Sequence, residues 1–163
     1  MIFIIGDKVV YPMHGAGIIE DIEERKILGE IKRYYILQVP FGDMKIMIPV
    51  TNTEEVGVRN IVSEVELYPV MALLGEKVSE MSENWNKRYR ENMEKLKTGS
   101  IFEVAEVVRN LMLTDRDKRL STGERKMLSN AKQILISEMI LVQGISQQEA
   151  VDVINSAVFK QTQ

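Results

Sequence analysis

The chain has 163 residues, of which 45% are apolar and 28% are charged, and its formal net charge is −3. This composition is typical of a folded protein with one domain or two small ones. The chain has no cysteine and one histidine, His14. This excludes disulfides, thiolate nucleophiles and metal sites built from sulfur or from two imidazoles. No apolar run is long enough to span a membrane and the start lacks a basic segment, so a cytoplasmic protein is expected.

The first 65 residues are predicted to form β structure. Short apolar or alternating runs are separated by turn segments that contain glycine and proline. The predicted strands are residues 2–5, 8–11, 18–25, 32–39 and 45–49. Five short strands favour a small, strongly bent sheet or open barrel. Such a sheet leaves an edge strand whose free backbone groups can pair with a strand of another protein.

From about Tyr68 the apolar period becomes helical. Short and longer helices are predicted over residues 69–74 and 82–97. Three capping-box sequences, in which a glutamate follows a serine by three positions, begin at Ser100, Ser121 and Ser146. An apolar stripe follows each box, which indicates a helical bundle. The predicted class is therefore α+β, with a β domain over residues 1–65 and an all-α domain over residues 66–163.

The sequence offers no support for an enzyme. His14 lies in a glycine-rich turn with no acidic residue within a few positions, so it is interpreted as a turn residue rather than a base or ligand. Gly15 and Gly17 precede a strand, whereas a phosphate-binding glycine loop opens a helix. We therefore expect no catalytic residue, no cofactor and no metal.

The charge is unevenly distributed along the helical half. Residues 109–132 carry seven basic and three acidic side chains, and residues 85–97 carry five basic and two acidic ones. Such segments are often only solvated helix surface, but a local basic face can also bind nucleic acid in a mildly acidic protein.

The only tryptophan, Trp85, lies in the second of these basic segments. It is spaced with Tyr89, Met93 and Leu96 as one helical stripe, which favours a ring that packs into the core. The alternative is an exposed ring at a polar helix start, surrounded by the cations Lys87, Arg88 and Arg90. In that case the cations contact phosphates and the ring lies against or between bases.

Several motifs along nearly the whole chain resemble the CarD/CdnL family of bacterial transcription regulators. The motifs are the start MIF-x-x-GD-x-VVYP-x-HG-x-G over residues 1–17, Val56-Gly57-Val58-Arg59, Asn84-Trp85-x-x-Arg88-Tyr89, Val104-Ala105-Glu106-Val107-Val108-Arg109 and Gly123-Glu124-Arg125-Lys126-Met127-Leu128. Their common order and spacing over one chain is more specific than any single match.

The resemblance implies an N-terminal Tudor-like domain that binds the RNA polymerase β subunit. It also implies a helical domain that contacts promoter DNA at the upstream edge of the melted region. The residues that match the family's DNA contacts are Trp85 as a minor-groove wedge, with Lys87, Arg88, Arg90, Arg125 and Lys126 around it.

On the polymerase side, the resemblance implies a contact at Arg25 and a docking edge formed by Lys45, Ile46, Met47, Ile48 and Pro49. Some relatives have an arginine where this chain has Met47. This difference favours backbone pairing with apolar contact over a salt bridge at that position.

Two functional hypotheses follow. The first is a polymerase-bound, non-enzymatic regulator that stabilises the open promoter complex with low sequence specificity. The second is a protein–protein adaptor that does not bind DNA, in which the basic helices bind an acidic partner and Trp85 is part of the core. A monomer is expected in either case, although the exposed edge strand also allows a domain-swapped or edge-paired dimer.

Overall fold

The computed structural model describes residues 2–160, in which an antiparallel sheet is followed by helices. The strands are β1 (Lys8–Tyr11), β2 (Gly15–Ile27), β3 (Glu30–Gln38), β4 (Lys45–Pro49) and β5 (Arg59–Asn60). They lie in the order β4-β3-β2-β1-β5, so β4 and β5 form the two edges. The predicted α+β class, a small β domain followed by a helical bundle, is confirmed.

The strand predicted at residues 2–5 is wrong. Phe3 is the buried member of this segment and packs into the core of the sheet. The Asp7 carboxylate accepts a hydrogen bond from the Ile4 N–H at 2.9 Å, and the Asp7 N–H donates to the Ile4 carbonyl at 3.1 Å. These bonds close a turn, so the segment does not pair as a strand, and the fifth strand of the sheet is β5.

A β-bulge interrupts the pairing of β2 with β3. Ile19 lies opposite Leu37, but the next paired residue of β2 is Asp21, opposite Ile36. Glu20 is therefore an extra residue without a partner in β3. An extra residue shifts the alternation of a strand by one position, so the residues that follow it exchange faces.

The helices are α1 (Thr53–Val56), α2 (Glu64–Leu74), α3 (Trp85–Lys97), α4 (Ile101–Asp117), α5 (Thr122–Gln143) and α6 (Gln147–Phe159). α4 lies at the centre of the bundle and packs against α2, α3, α5 and α6. The predicted division at residue 65 would cut the first turn of α2 and stays a prediction. Its outer bounds, Met1 and residues 161–163, lie outside the described residues.

The predicted capping boxes have different outcomes. The box at Ser146 is complete. Ser121 caps α5 by accepting from the Glu124 N–H, but the Glu124 carboxylate accepts from Arg88 and from the Ser121 hydroxyl instead of from the Ser121 N–H. Ser100 makes no side-chain cap bond, so that box is wrong. A complete box at Ser63 was not predicted, and it explains why α2 begins at Glu64 rather than near residue 69.

Helix α5 packs against the sheet and joins the two domains. The Ser137 hydroxyl accepts a hydrogen bond from the Ala16 N–H at 2.8 Å. The next residue, Glu138, accepts both Nη groups of Arg59 at 2.8 Å each. The Arg59 Nε–H also donates to the Gly99 carbonyl at 2.9 Å. These bonds connect residues of the β domain directly to the helical domain.

Candidate nucleic-acid interface

Trp85 is the first residue of α3 and lies at the surface with 45% of its area exposed. Its ring stacks on that of Tyr89, one turn later in the helix, with centroids 5.6 Å apart and planes inclined by 26°. The core position that the helical stripe favoured is therefore wrong for Trp85, and the stripe becomes buried only toward Leu96. The orientation of an aromatic ring at the surface is restricted by stacking within the pair and by packing against neighbouring residues.

The start of α5 lies behind the ring. The indole Nε1–H donates to the Ser121 hydroxyl at 3.0 Å. A Cβ at Gly123 would lie 3.7 Å from carbons of both Trp85 and Tyr89, which is ordinary van der Waals contact. The first turns of α3 and α5 therefore meet at the tryptophan ring.

Arg88 is not a free cation. Its Nε and Nη2 groups donate to the two carboxylate oxygens of Glu124 at 2.9 and 3.1 Å. Its Nη1 group donates to the Ser82 carbonyl at 3.3 Å. Glu124 is 3% exposed. The hydrogen bonds from Arg88 lower the pKa of Glu124, and the same pairing raises the pKa of Arg88.

The other predicted cations are all exposed. Lys87 lies 3.9 Å from Glu91, and Arg90, Arg125 and Lys126 have no ion pair within 4.0 Å among residues 2–160. At about 100° per helical residue, Lys87 and Arg90 lie well around α3 from Trp85. The structure therefore joins Trp85 and Arg88 to the start of α5, but it does not gather the five cations into one cluster.

The predicted docking strand is an edge strand, because β4 pairs with β3 and with no second strand. Ile46 and Ile48 face the core of the β domain, whereas Lys45 and Met47 are exposed on the opposite face. Lys45 forms an ion pair of 2.7 Å with Glu20. This surface has the unpaired backbone groups that strand addition requires.

Arg25 lies on β2, separated from β4 by β3. It is exposed and forms an ion pair of 2.8 Å with Glu23. Arg25 is paired with Lys32 of β3. Lys32 lies two residues from Tyr34, and Tyr34 is paired with Pro49 at the end of β4. Since alternate residues share a face, Arg25 is on the same face of the sheet as Met47 and Lys45.

Two findings concern sites that the sequence argued against. In the described part of the chain, no helix combines the length and the apolarity that crossing a bilayer requires. Residues 2–160 also contain no group of three histidine or acidic side chains placed to share a metal ion. His14 lies in the turn between β1 and β2, where its ring packs on Tyr11 with centroids 4.4 Å apart.

Sequence reasoning missed three residues that shape this site. Ser121 and Glu124 were recognised as a helix cap and Tyr89 as a member of a core stripe. Tyr89 and Glu124 also belong to the family motifs, but none of the three was assigned as a contact of Trp85 or Arg88. The partners of Trp85 and Arg88 lie 36 residues away along the chain. No local pattern carries such pairings, although a serine and a glutamate three apart at a helix start show where α5 begins.

Comparison with known proteins shows the family of the chain. Residues 3–62 match the CarD-like/TRCF RID domain, and residues 69–155 match the CarD, C-terminal domain. The chain is also 42% identical over 147 residues to "Putative transcription factor YdeB" of Bacillus subtilis (strain 168). The matched region covers 90% of this chain and 96% of that protein. These are families of transcription factors rather than of enzymes. The chain therefore belongs to the CarD family.

Proposed function

We propose that this protein binds the RNA polymerase β subunit through its β domain and promoter DNA through its helical domain, and so stabilises the open promoter complex. The observation that carries the proposal is an exposed Trp85 ring, stacked on Tyr89, in the same chain as an open β edge. The β domain takes residues 1–65 and the helical domain residues 66–163. The protein would act as a monomer in the cytoplasm, without a cofactor.

The polymerase contact is strand addition to β4, supported by side chains on one face of the sheet. A strand of the β subunit would pair with the free edge formed by Lys45, Ile46, Met47, Ile48 and Pro49. Met47 and Arg25 lie on the exposed face beside that edge and supply apolar and charged contact. The match to the CarD-like/TRCF RID domain supports this assignment, because that family is linked to RNA polymerase interaction.

The DNA contact is the Trp85 ring, which meets the minor groove at the upstream edge of the bubble. Exposed cations on α3 and α5 (Lys87, Arg90, Arg125 and Lys126) contact phosphates on either side. Arg88 differs from them because it is already bound to Glu124. Backbone contacts and an inserted ring depend on DNA shape more than on base identity, so low sequence specificity is expected.

Because the polymerase contact and the DNA contact are in one chain, the protein can bind the complex stably although each contact alone is weak. Once β4 is bound to the polymerase, the second contact becomes intramolecular, with an effective concentration of about millimolar for a short connection. The bonds from Arg59 to Glu138 hold the two domains in one arrangement, so the ring is delivered to a fixed place.

The test of the DNA contact is the lifetime of the open complex that a bacterial RNA polymerase forms on one weak promoter. Trp85→Ala should shorten the protein-dependent lifetime by about 5- to 160-fold, since stacking of one base on an aromatic ring is worth about 1–3 kcal/mol. Polymerase binding should be retained. Tyr68→Ala is the matched control, because Tyr68 is an exposed aromatic residue on α2, away from this site.

An unchanged lifetime with folded Trp85→Ala would contradict the proposal and would favour the adaptor, in which the basic helices bind an acidic protein. Binding to duplex DNA distinguishes the two as well. About four phosphate contacts predict a slope near −3.6 in a plot of log affinity against log salt concentration.

The test of the polymerase contact is binding to the isolated β subunit. Arg25→Glu should weaken binding because it reverses a charge on the face beside β4. Arg33→Glu is the matched control, since Arg33 is equally exposed but lies on the opposite face of the same hairpin. Equal affinity of the Arg25 variant and the wild type would remove Arg25 from the interface.

A further inference from the structure

Four side chains from two helix starts form one connected network beside the surface. Trp85 and Arg88 lie three residues apart at the start of α3, and Ser121 and Glu124 lie three residues apart at the start of α5. Trp85 bonds Ser121, Arg88 bonds Glu124, and the Ser121 hydroxyl also donates to the Glu124 carboxylate at 3.2 Å. The network therefore attaches the ring at one point and its helix at a second.

The Ser121 hydroxyl has no hydrogen-bonding capacity left. A hydroxyl has one hydrogen and two lone pairs. The oxygen accepts from the Trp85 indole at 3.0 Å and from the Glu124 N–H at 3.2 Å, and the hydrogen is donated to Glu124. This leaves a single orientation for the hydroxyl, which in turn fixes where the indole N–H must lie.

The Arg88 guanidinium has three of its donor groups on protein acceptors, two of them on the buried Glu124 carboxylate. A DNA phosphate would have to compete with that carboxylate, and a displaced Glu124 would be a buried charge without its partner. Leaving a buried charge unpaired is strongly unfavourable. Exposed neighbours such as Arg90 meet no such opposition.

We propose that Arg88 is a positioning residue, which holds the Trp85 ring in place through Glu124 and Ser121 instead of contacting a phosphate. The inference rests on the proposed function, because it takes Trp85 as the group that meets DNA. A ring already held in its bound orientation loses less conformational freedom on binding, and this favours a longer-lived complex.

The two roles of Arg88 predict opposite results for Glu124→Gln. This change keeps a residue suited to a capping box, removes one negative charge and releases Arg88. If Arg88 positions the ring, the protein-dependent lifetime of the open complex falls several-fold and the fluorescence anisotropy of Trp85 falls with it. If Arg88 contacts phosphate, DNA binding becomes tighter and its salt dependence steeper.

Glu91→Gln is the matched control, because it is the same chemical change on an exposed residue of α3. It measures the effect of the charge alone and should leave the anisotropy unchanged. Trp85 is the only tryptophan, so the fluorescence of the free protein has one source when it is excited at a wavelength that the five tyrosines do not absorb. Thermal unfolding of each variant shows that it is folded at the temperature of the assay.

Arg88→Lys keeps the charge but cannot bond both carboxylate oxygens in the same planar geometry. We expect it to lower the lifetime and the anisotropy, with the slope of the salt dependence unchanged. A lifetime and an anisotropy equal to those of the wild type in both Arg88→Lys and Glu124→Gln would overturn the positioning role. Failure of the proposed function would show separately, as a Trp85→Ala variant with an unchanged lifetime.

Discussion

Each end of α5 carries a buried glutamate that is paired with an arginine of another element, and the two pairs have different roles. Near its start, Glu124 binds Arg88 of α3, and fourteen residues later Glu138 binds Arg59 of the β domain. Both glutamates are almost fully buried, with 3% of the surface area of Glu124 and 1% of that of Glu138 exposed. Each carboxylate binds its arginine through both oxygens. One pair lies beside an exposed ring, and the other joins two domains.

The surroundings of the two pairs differ, and this determines how strongly each carboxylate depends on its arginine. Glu124 is in the first turn of α5, where the helix dipole also stabilises a negative charge. Glu138 is far from that end and depends on Arg59 and on the Val62 N–H, which donates to it at 2.9 Å. With a rise of about 1.5 Å per residue, the pairs are about 21 Å apart along α5. This helix therefore spaces the proposed DNA contact from the β domain.

The largest effect is expected at the domain junction. Arg59→Met should lower the free energy of unfolding by about 3–5 kcal/mol, because it leaves the buried Glu138 carboxylate without its cation. Urea unfolding at neutral pH measures the loss. A second variant in which Glu138 is also replaced, by Leu, should recover part of it. A loss below about 1 kcal/mol in Arg59→Met would contradict the role given to this pair.

An intermediate effect is expected from acid at the other end of α5. The folded-state pKa of Glu124 is lowered by Arg88, so the stability from this carboxylate is present above its ordinary value of about 4.5 and is lost as the pH falls through the lower, folded-state value. Glu124→Gln should therefore show a smaller loss of stability than the wild type between neutral pH and strongly acidic pH. Urea midpoints at the two pH values test this, and equal losses would contradict it.

The smallest effect is expected at a pair that is equally short but exposed. Lys45 and Glu20 are 2.7 Å apart on the surface of the sheet, and their interaction raises the pKa of Lys45. Lys45→Met should leave the urea midpoint unchanged within error, because solvent and salt screen surface ion pairs. A loss as large as that of Arg59→Met would show that distance, rather than burial, decides the strength of these pairs.

Local patterns predicted most of the elements, and they failed where a side-chain hydrogen bond or the packing of another element decides the outcome. The turn over residues 40–43 correctly predicted β4 after it, and Ser146 correctly predicted the start of α6. The apolar run at residues 2–5 has the composition of a strand, but Asp7, three residues after Ile4, closes it into a turn. The stripe through Trp85 could not show which of its members is buried, because that depends on how α3 meets α5.

The pairings at the site were not predictable from the sequence for a similar reason. Arg59 and Glu138 lie 79 residues apart, and neither has a neighbour that marks it as half of an ion pair. The capping motif at Ser121 was visible, but its hydroxyl also accepts from the indole. A cap predicts where a helix begins and does not predict what else the capping group will bind.

The unpaired residue of β2 determines which side of the sheet carries Arg25. Because Glu20 has no partner in β3, every later position of β2 is displaced by one. Arg25 therefore lies opposite Lys32, on the face that carries Met47, instead of opposite Ile31 on the other face. Pairing Glu20 with Ile36, with no bulge, would shift each later pair by one residue and turn this arginine toward the other face. The position at which β2 skips a partner thus places the cation on the same face as the exposed side chains of β4.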